Sequence, residues 1–281
     1  MIREIKMNEV EEVAKYAFEL NSIPEHNCKS FSTKYEEILS SFKKDIQNEN
    51  DYLLGYYIDD LLEGVVSILS VPNDNYVQTT GGFFAKENFH EISAKFFNWI
   101  KEKFKGYYFY SAYSQENVEA IKFCENQNLE CSTRAYFLRI EEDKFRPSIV
   151  NTKIELLTEK YHKQFTELHN IVGKDAFWNS EKILSGRRFD VYIALDNDKV
   201  IGEFAVTRHL PEGEVCFLGV KEGVSIKVLS DLVMFATRER FAAGAQTMAY
   251  VECNSVVELN IYFNHGYHIG ETSIGYETKE L

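Results

Sequence analysis

The residue types able to do chemistry in this chain of 281 residues sit at spacings that narrow the options. Five cysteines (Cys28, Cys124, Cys131, Cys216, Cys253) are odd in number and include no Cys-x-x-Cys pair, which argues against both a disulfide framework and a zinc site. They read as reduced thiols. His265-Gly266-Tyr267-His268 sets two imidazoles around a turn, but no cysteine or carboxylate stands at ligand spacing, so no metal is expected. The aromatic run Tyr107-Tyr108-Phe109-Tyr110 has the composition of a base-stacking platform. Against that stands a net charge of −13, from 31 basic and 44 acidic side chains, which opposes a nucleic-acid partner held by counterion release. A buried strand accounts better for the run. A cationic small substrate stays compatible with the charge.

Side chains do chemistry only when elements position them, and the sequence contains enough for a folded scaffold. Hydrophobic residues make up 44% and charged residues 27%, with four prolines, the balance of a globular chain. The length suggests two domains at roughly 100–200 residues each. No stretch approaches the roughly 18 consecutive apolar residues of a membrane span, and Met1-Ile2-Arg3-Glu4-Ile5-Lys6 lacks a signal-peptide core, so the expected location is cytoplasmic, with no membrane partner.

One offset, 138 residues, recurs along the chain: Gly64 falls on Gly202, Gly106 on Gly244, Cys124 on Tyr262 and Asn128 on Gly266. Such an offset marks an internal repeat. Each copy predicts an opening strand (1–6; 152–157) and a helix started by Asn8 with Glu11, or by Thr158 with a less complete match at Tyr161. Strands follow near 51–59, 63–71 and 76–84, matched by 189–196, 199–209 and 213–221. A long amphipathic helix comes next, with Ile92, Phe96, Ile100 and Phe104 on one face in the first copy and Leu229, Leu232, Val233 and Ala236 in the second. Strands at 107–113 and 247–253, a short helix and a closing strand pair complete each copy. The charged, proline-bearing stretch at 141–148 divides them into domains at 1–143 and 149–281.

The segment Asn117-Val118-Glu119-Ala120-Ile121-Lys122-Phe123-Cys124-Glu125-Asn126-Gln127-Asn128-Leu129 resembles the Asn-x-x-Ala-x-x-Leu-Tyr-x-x-x-Gly-Phe segment of the GNAT acyltransferase superfamily. Asn254-Ser255 with Leu259-Asn260-Ile261-Tyr262-Phe263-Asn264-His265-Gly266-Tyr267 resembles it again. The resemblance implies two tandem GNAT-like α/β domains, each a mostly antiparallel mixed sheet flanked by helices. It implies acetyl-CoA as cosubstrate, a small-molecule or peptide amine as acceptor, and direct transfer between them.

It also implies that pyrophosphate lies where the fourth strand turns into the long helix, against backbone N–H groups. The first copy has Phe84-Ala85-Lys86-Glu87-Asn88-Phe89-His90-Glu91-Ile92 there, with no glycine and two carboxylates, so cofactor is not expected in it. The second keeps one glycine, a hydroxyl and two lysines. By this resemblance the cofactor residues are Leu218, Gly219, Val220, Gly223, Val224, Ser225, Ile226, Lys227, Val228 and Asn254, the last alternatively capping a helix. Tyr262 matches the family tyrosine that protonates the departing thiolate, and is alternatively a core aromatic. Cys124 replaces it in the first copy and reads as a structural thiol. Glu203 and Glu214 lie nearest the implied cleft as candidate bases, or are solvated strand carboxylates. A non-catalytic tandem GNAT module is the rival reading.

Overall fold

The computed structural model describes every residue except Lys29, Ser30, Asp175, Phe177, Gly186, Arg187, His209 and Pro211. The chain forms two compact units, residues 1–134 with 272–281, and residues 135–271. In chain order the first half supplies β1 (Ile2–Glu4), α1 (Val10–Asn21), α2 (Tyr35–Gln47), β2 (Tyr52–Ile58), β3 (Leu61–Val71), β4 (Tyr76–Ala85), α3 (Phe89–Lys103), β5 (Tyr108–Ser114), α4 (Val118–Asn126) and β6 (Glu130–Arg139). The second half supplies β7 (Lys153–Leu156), α5 (His162–Val172), α6 (Ser180–Ser185), β8 (Phe189–Asp196), β9 (Lys199–Thr207), β10 (Glu212–Val220), α7 (Lys227–Ala242), β11 (Gln246–Glu252), α8 (Val256–Asn264) and β12 (His268–Thr278).

The first unit's sheet runs β1-β2-β3-β4-β5-β12 and the second's β7-β8-β9-β10-β11-β6. Only β4 with β5, and β10 with β11, are parallel among the registered pairs. Both sheets are therefore mixed and mostly antiparallel. The sixth strand of each comes from the other half of the sequence: Ser273–Thr278 pair with Phe109–Ser114, while Ala135–Arg139 pair with Met248–Glu252. Each copy thus closes on a single long strand, where the sequence suggested a strand pair. Residues 130–134 serve one unit and 135–139 the other, which uses up the length that a hairpin would have taken.

The repeat is visible in local geometry. Two-residue hairpins join β2 to β3 through Asp59-Asp60 and β8 to β9 through Asn197-Asp198, and all four residues have positive φ. That is type I′ geometry, whose twist matches the flanking strands. Gly64 in β3 and Gly202 in β9 both lie under their unit's long helix, where an added Cβ would meet Ile92 at 2.6 Å and Leu232 at 3.1 Å. Ile92, Phe96 and Ile100 form the buried face of α3, with Phe104 buried just past its end, and Leu232, Val233 and Ala236 form that of α7, where Leu229 is only partly buried.

Neither expected helix start uses its cap. The carboxylate of Glu9 takes two hydrogen bonds from Arg3, at 2.6 and 2.8 Å, and one from the Lys6 N–H, and the helix opens at Val10 without Asn8. Thr158 precedes a 3-10 turn, and α5 starts four residues later at His162. Helices α2 and α6 have no counterpart among the expected elements; the buried residues in them are Ile38 with Phe42, and Ile183 with Ser180. So thin an apolar stripe gives little periodic signal. The expected end of β9 at 209 lies outside the described residues.

Candidate active site

The second unit opens where β10 and β11 part. Their parallel register holds from Glu212–Val215 against Gln246–Ala249 and then stops. On the other side, β10 pairs with β9 through a bulge: Val215 faces Val206, Phe217 faces Ala205, and Cys216 is the extra residue. A bulge bends its strand and sharpens its twist. Past it, the two strands diverge into a cleft of about 360 Å³ lined by Leu218, Leu229, Asn254, Ser255, Val256, Val257 and Glu258. Leu218, near the end of β10, and Leu229, in the first turn of α7, bracket the β10–α7 loop in sequence.

That loop turns at Gly223, whose φ is +80° and around which there is open space. Val224 N–H donates back to the Lys221 carbonyl and Lys227 N–H to the Ser225 hydroxyl. Among the described residues, the N–H groups of Gly223, Ser225 and Ile226 have no partner. They precede the 16-residue α7 and share its N-terminal partial positive charge. Val228 is buried, anchoring the loop, whereas Ile226 is exposed.

Of the residues named from the sequence, the cleft brings together Leu218 and Asn254. Ser255, not Asn254, is the N-cap of α8, and it makes no side-chain cap bond. The Asn254 side chain is left at the cleft wall. Gly219 and Val220 continue β10 opposite Glu203 and Gly202. Tyr262 does not line the cleft. It is completely enclosed, packs edge-on to Tyr267 with ring centroids 4.9 Å apart, and its hydroxyl has no hydrogen-bond partner among the described residues. Burial drives that phenol well above its ordinary value, with the charge of Glu258 adding to the rise.

The two candidate bases part company. Glu214 is exposed, on the far side of the bulge from Leu218, with its N–H donating to the Thr207 hydroxyl. Glu203 is 0% exposed, and its Oε1 lies 3.0 Å from Nδ1 of His169, itself 1% exposed. Nε2 of His169 donates to the Trp178 carbonyl at 2.8 Å. Glu203 is therefore an enclosed partner of His169 and not a solvated strand charge. Burial pushes its carboxyl up, with His169 pulling part of the way back. Glu258, which the sequence reading missed, faces the cleft with its carboxyl raised to about 7, by burial first and by Glu252 second. Its signal was the repeat itself, since the offset that pairs Cys124 with Tyr262 also puts Glu258 on Ala120.

The first unit repeats the divergence and fills it. β4 and β5 pair over Tyr76–Gln78 and Tyr108–Tyr110 and then separate. The Asn27 carbonyl accepts from the Ser114 N–H and from the Asn117 side chain, both at 3.3 Å. A Cβ at Gly82 would sit 2.9 Å from the Cys28 sulfur, and one at Gly81 would strike the ring of Phe31. Asn117 also caps α4, accepting from Ala120 N–H at 3.1 Å. The loop after β4 is closed as well, with Lys86 N–H donating to the Tyr16 hydroxyl at 3.1 Å. Cys124 is fully buried and its thiol is pushed up by that burial. His265 is buried with Nε2 2.9 Å from the Ser230 hydroxyl, and no group of metal-ligating side chains occurs among the described residues. No helix is long and apolar enough to cross a membrane among the described residues.

No family model and no curated protein matches the sequence. Solved structures do match along the whole chain. A GCN5-related N-acetyltransferase from Sphaerobacter thermophilus aligns at TM-score 0.74 and 10% identity, covering 100% of this chain and 96% of that one. A tandem GNAT protein from the clavulanic acid biosynthesis pathway aligns at 0.65 and 9% identity, over 99% and 98%. An acetyltransferase of the GNAT family from Colwellia psychrerythraea aligns at 0.60 and 11%, over 99% of each. At this identity the likeness establishes the fold: the chain is built as the GNAT acetyltransferases are.

Proposed function

We propose that the chain is an N-acetyltransferase that moves an acetyl group from acetyl-CoA to an amine of a small molecule or peptide, with its chemistry in the β10–β11 cleft. One observation carries the reading: where β10 and β11 diverge they leave a cleft lined by Leu218 and Leu229, and the loop joining the elements of those two residues, which leads into α7, has three N–H groups without a partner among the described residues. Leu218 and Leu229 suit a thin acyl-pantetheine arm, and the Asn254 amide can hydrogen-bond it. Gly223, Ser225 and Ile226 offer N–H groups to a pyrophosphate, Lys221 and Lys227 offer charge, and only Glu222 opposes. The residues fit the group. Bound acetyl-CoA supplies the activated acyl carbon; the chain supplies position, exclusion of water and proton handling.

An amine arrives protonated near neutral pH and must lose a proton before attack. Glu214 is exposed on the strand leading into the cleft and takes the base role, whereas Glu203, enclosed against His169, is not assigned one. Calorimetric titration with acetyl-CoA tests the reading. Saturable binding, followed by thiol release with an amine panel, is the expected result. Absence of binding at millimolar acetyl-CoA would leave the non-catalytic GNAT module as the better account.

A further inference from the structure

We infer that Glu258 is the proton donor of the second unit's cleft, delivering the proton that a departing thiol sulfur takes up. The inference rests on the acetyltransferase reading. Glu258 is the third residue of α8 and half-buried, and it lines the cleft together with Leu218, Leu229 and Asn254. At the matching place in the first unit stands Ala120, fully buried, so packing at this point of the short helix is satisfied by a methyl group. A carboxyl here is an addition that packing does not require.

Nothing ties that carboxyl down. Among the described residues it makes no hydrogen bond or ion pair. β10 and α7 meet it with Leu218 and Leu229, which carry no charge; the end of β11 contributes Glu252, and its own helix contributes Tyr262. No cation in this set holds it ionised. Its proton is accordingly retained up to about pH 7, just below the ordinary value of a free thiol near 8.5, so transfer to sulfur runs downhill. Tyr262, enclosed and raised well above 10, would give up its proton uphill.

In the step, the amine lone pair forms the N–C bond and the C–S bond breaks with its electron pair going to sulfur. The Glu258 O–H proton moves to that sulfur, giving the free thiol. The proton shed by nitrogen leaves through the base to solvent, and Glu258 is reprotonated from solvent.

The test compares wild type, Glu258→Gln and Glu258→Ala, the last copying the residue found at Ala120. Folding is checked by circular dichroism, acetyl-CoA affinity is measured by calorimetry from pH 6 to 8.5, and thiol release is followed with an amine panel. As the carboxylate appears beside an anionic ligand, wild-type affinity should fall several-fold more than that of either variant across this range. Thiol release in Glu258→Gln should drop by ~10²–10⁴. Binding with the same pH dependence in all three proteins overturns the inference and leaves the acetyltransferase reading standing. No binding by any of them overturns both.

Discussion

His169 and Glu203 place an imidazole and a carboxylate in contact with no solvent. Removing one partner of such a pair strands the other, so His169→Ala should cost ~3–5 kcal/mol in chemical denaturation, while replacing both by apolar residues should cost far less. The pair also sets a pH dependence. Burial lowers His169, but the Glu203 carboxylate and the Trp178 carbonyl outweigh it and hold the imidazole above 6.5; burial holds Glu203 above 4.5. Both groups bind protons more tightly folded than unfolded, so both make stability fall as pH rises, Glu203 from about 4.5 upward and His169 above about 6.5. Thermal midpoints should decline from pH 6 to 8.5 with a shallower slope in Glu203→Gln. Tyr262 predicts the opposite kind of outcome. Its buried hydroxyl has no partner among the described residues, an arrangement worth ~1–3 kcal/mol of desolvation, so Tyr262→Phe should hold or raise the melting temperature. The sequence located Glu203 correctly on its strand but not in its surroundings, because its partner is 34 residues away on a helix with no motif.

At the scale of elements, two glycines with similar backbone angles separate what a turn needs from what packing needs. Gly223 has φ +80° and open space; Gly266, closing α8, has φ +98° and faces the Lys144 carbonyl so closely that a Cβ would collide with it. Gly223→Ala should therefore cost about 1–2 kcal/mol of left-handed strain. Gly266→Ala should cost about 3 kcal/mol or more, since backbone must move, and paired denaturant melts would rank the two. In the first unit Asn128 takes the place of Gly266 with φ +57°, as a helix end allows. Features of this kind were legible, because hairpin turns, helix ends and glycines under a long helix leave marks at fixed spacing. Caps at Asn8 and Thr158 were misread because competing partners such as Arg3 are invisible in the local pattern. The plug of Asn27, Cys28 and Phe31 was illegible for a related reason: nothing in a short polar and aromatic stretch says which groove it enters.

At the scale of the molecule, neither sheet is completed by its own half of the sequence. A chain divided between 143 and 149 would leave β5 without Ser273–Thr278 and β11 without Ala135–Arg139, each an open edge of unpaired backbone groups. Expressed separately, fragments 1–143 and 149–281 should elute as aggregates or oligomers in gel filtration; two well-behaved monomers would contradict the importance of the exchange. The filled groove of the first unit has a different consequence. Asn27 and Phe31 are tethered to the groove they occupy, so they compete with any dissolved ligand at an effective concentration of order millimolar that no change in supply can dilute. On the acetyltransferase reading the first unit should then bind acetyl-CoA far more weakly than the second, and the titration curve should end at one equivalent per chain.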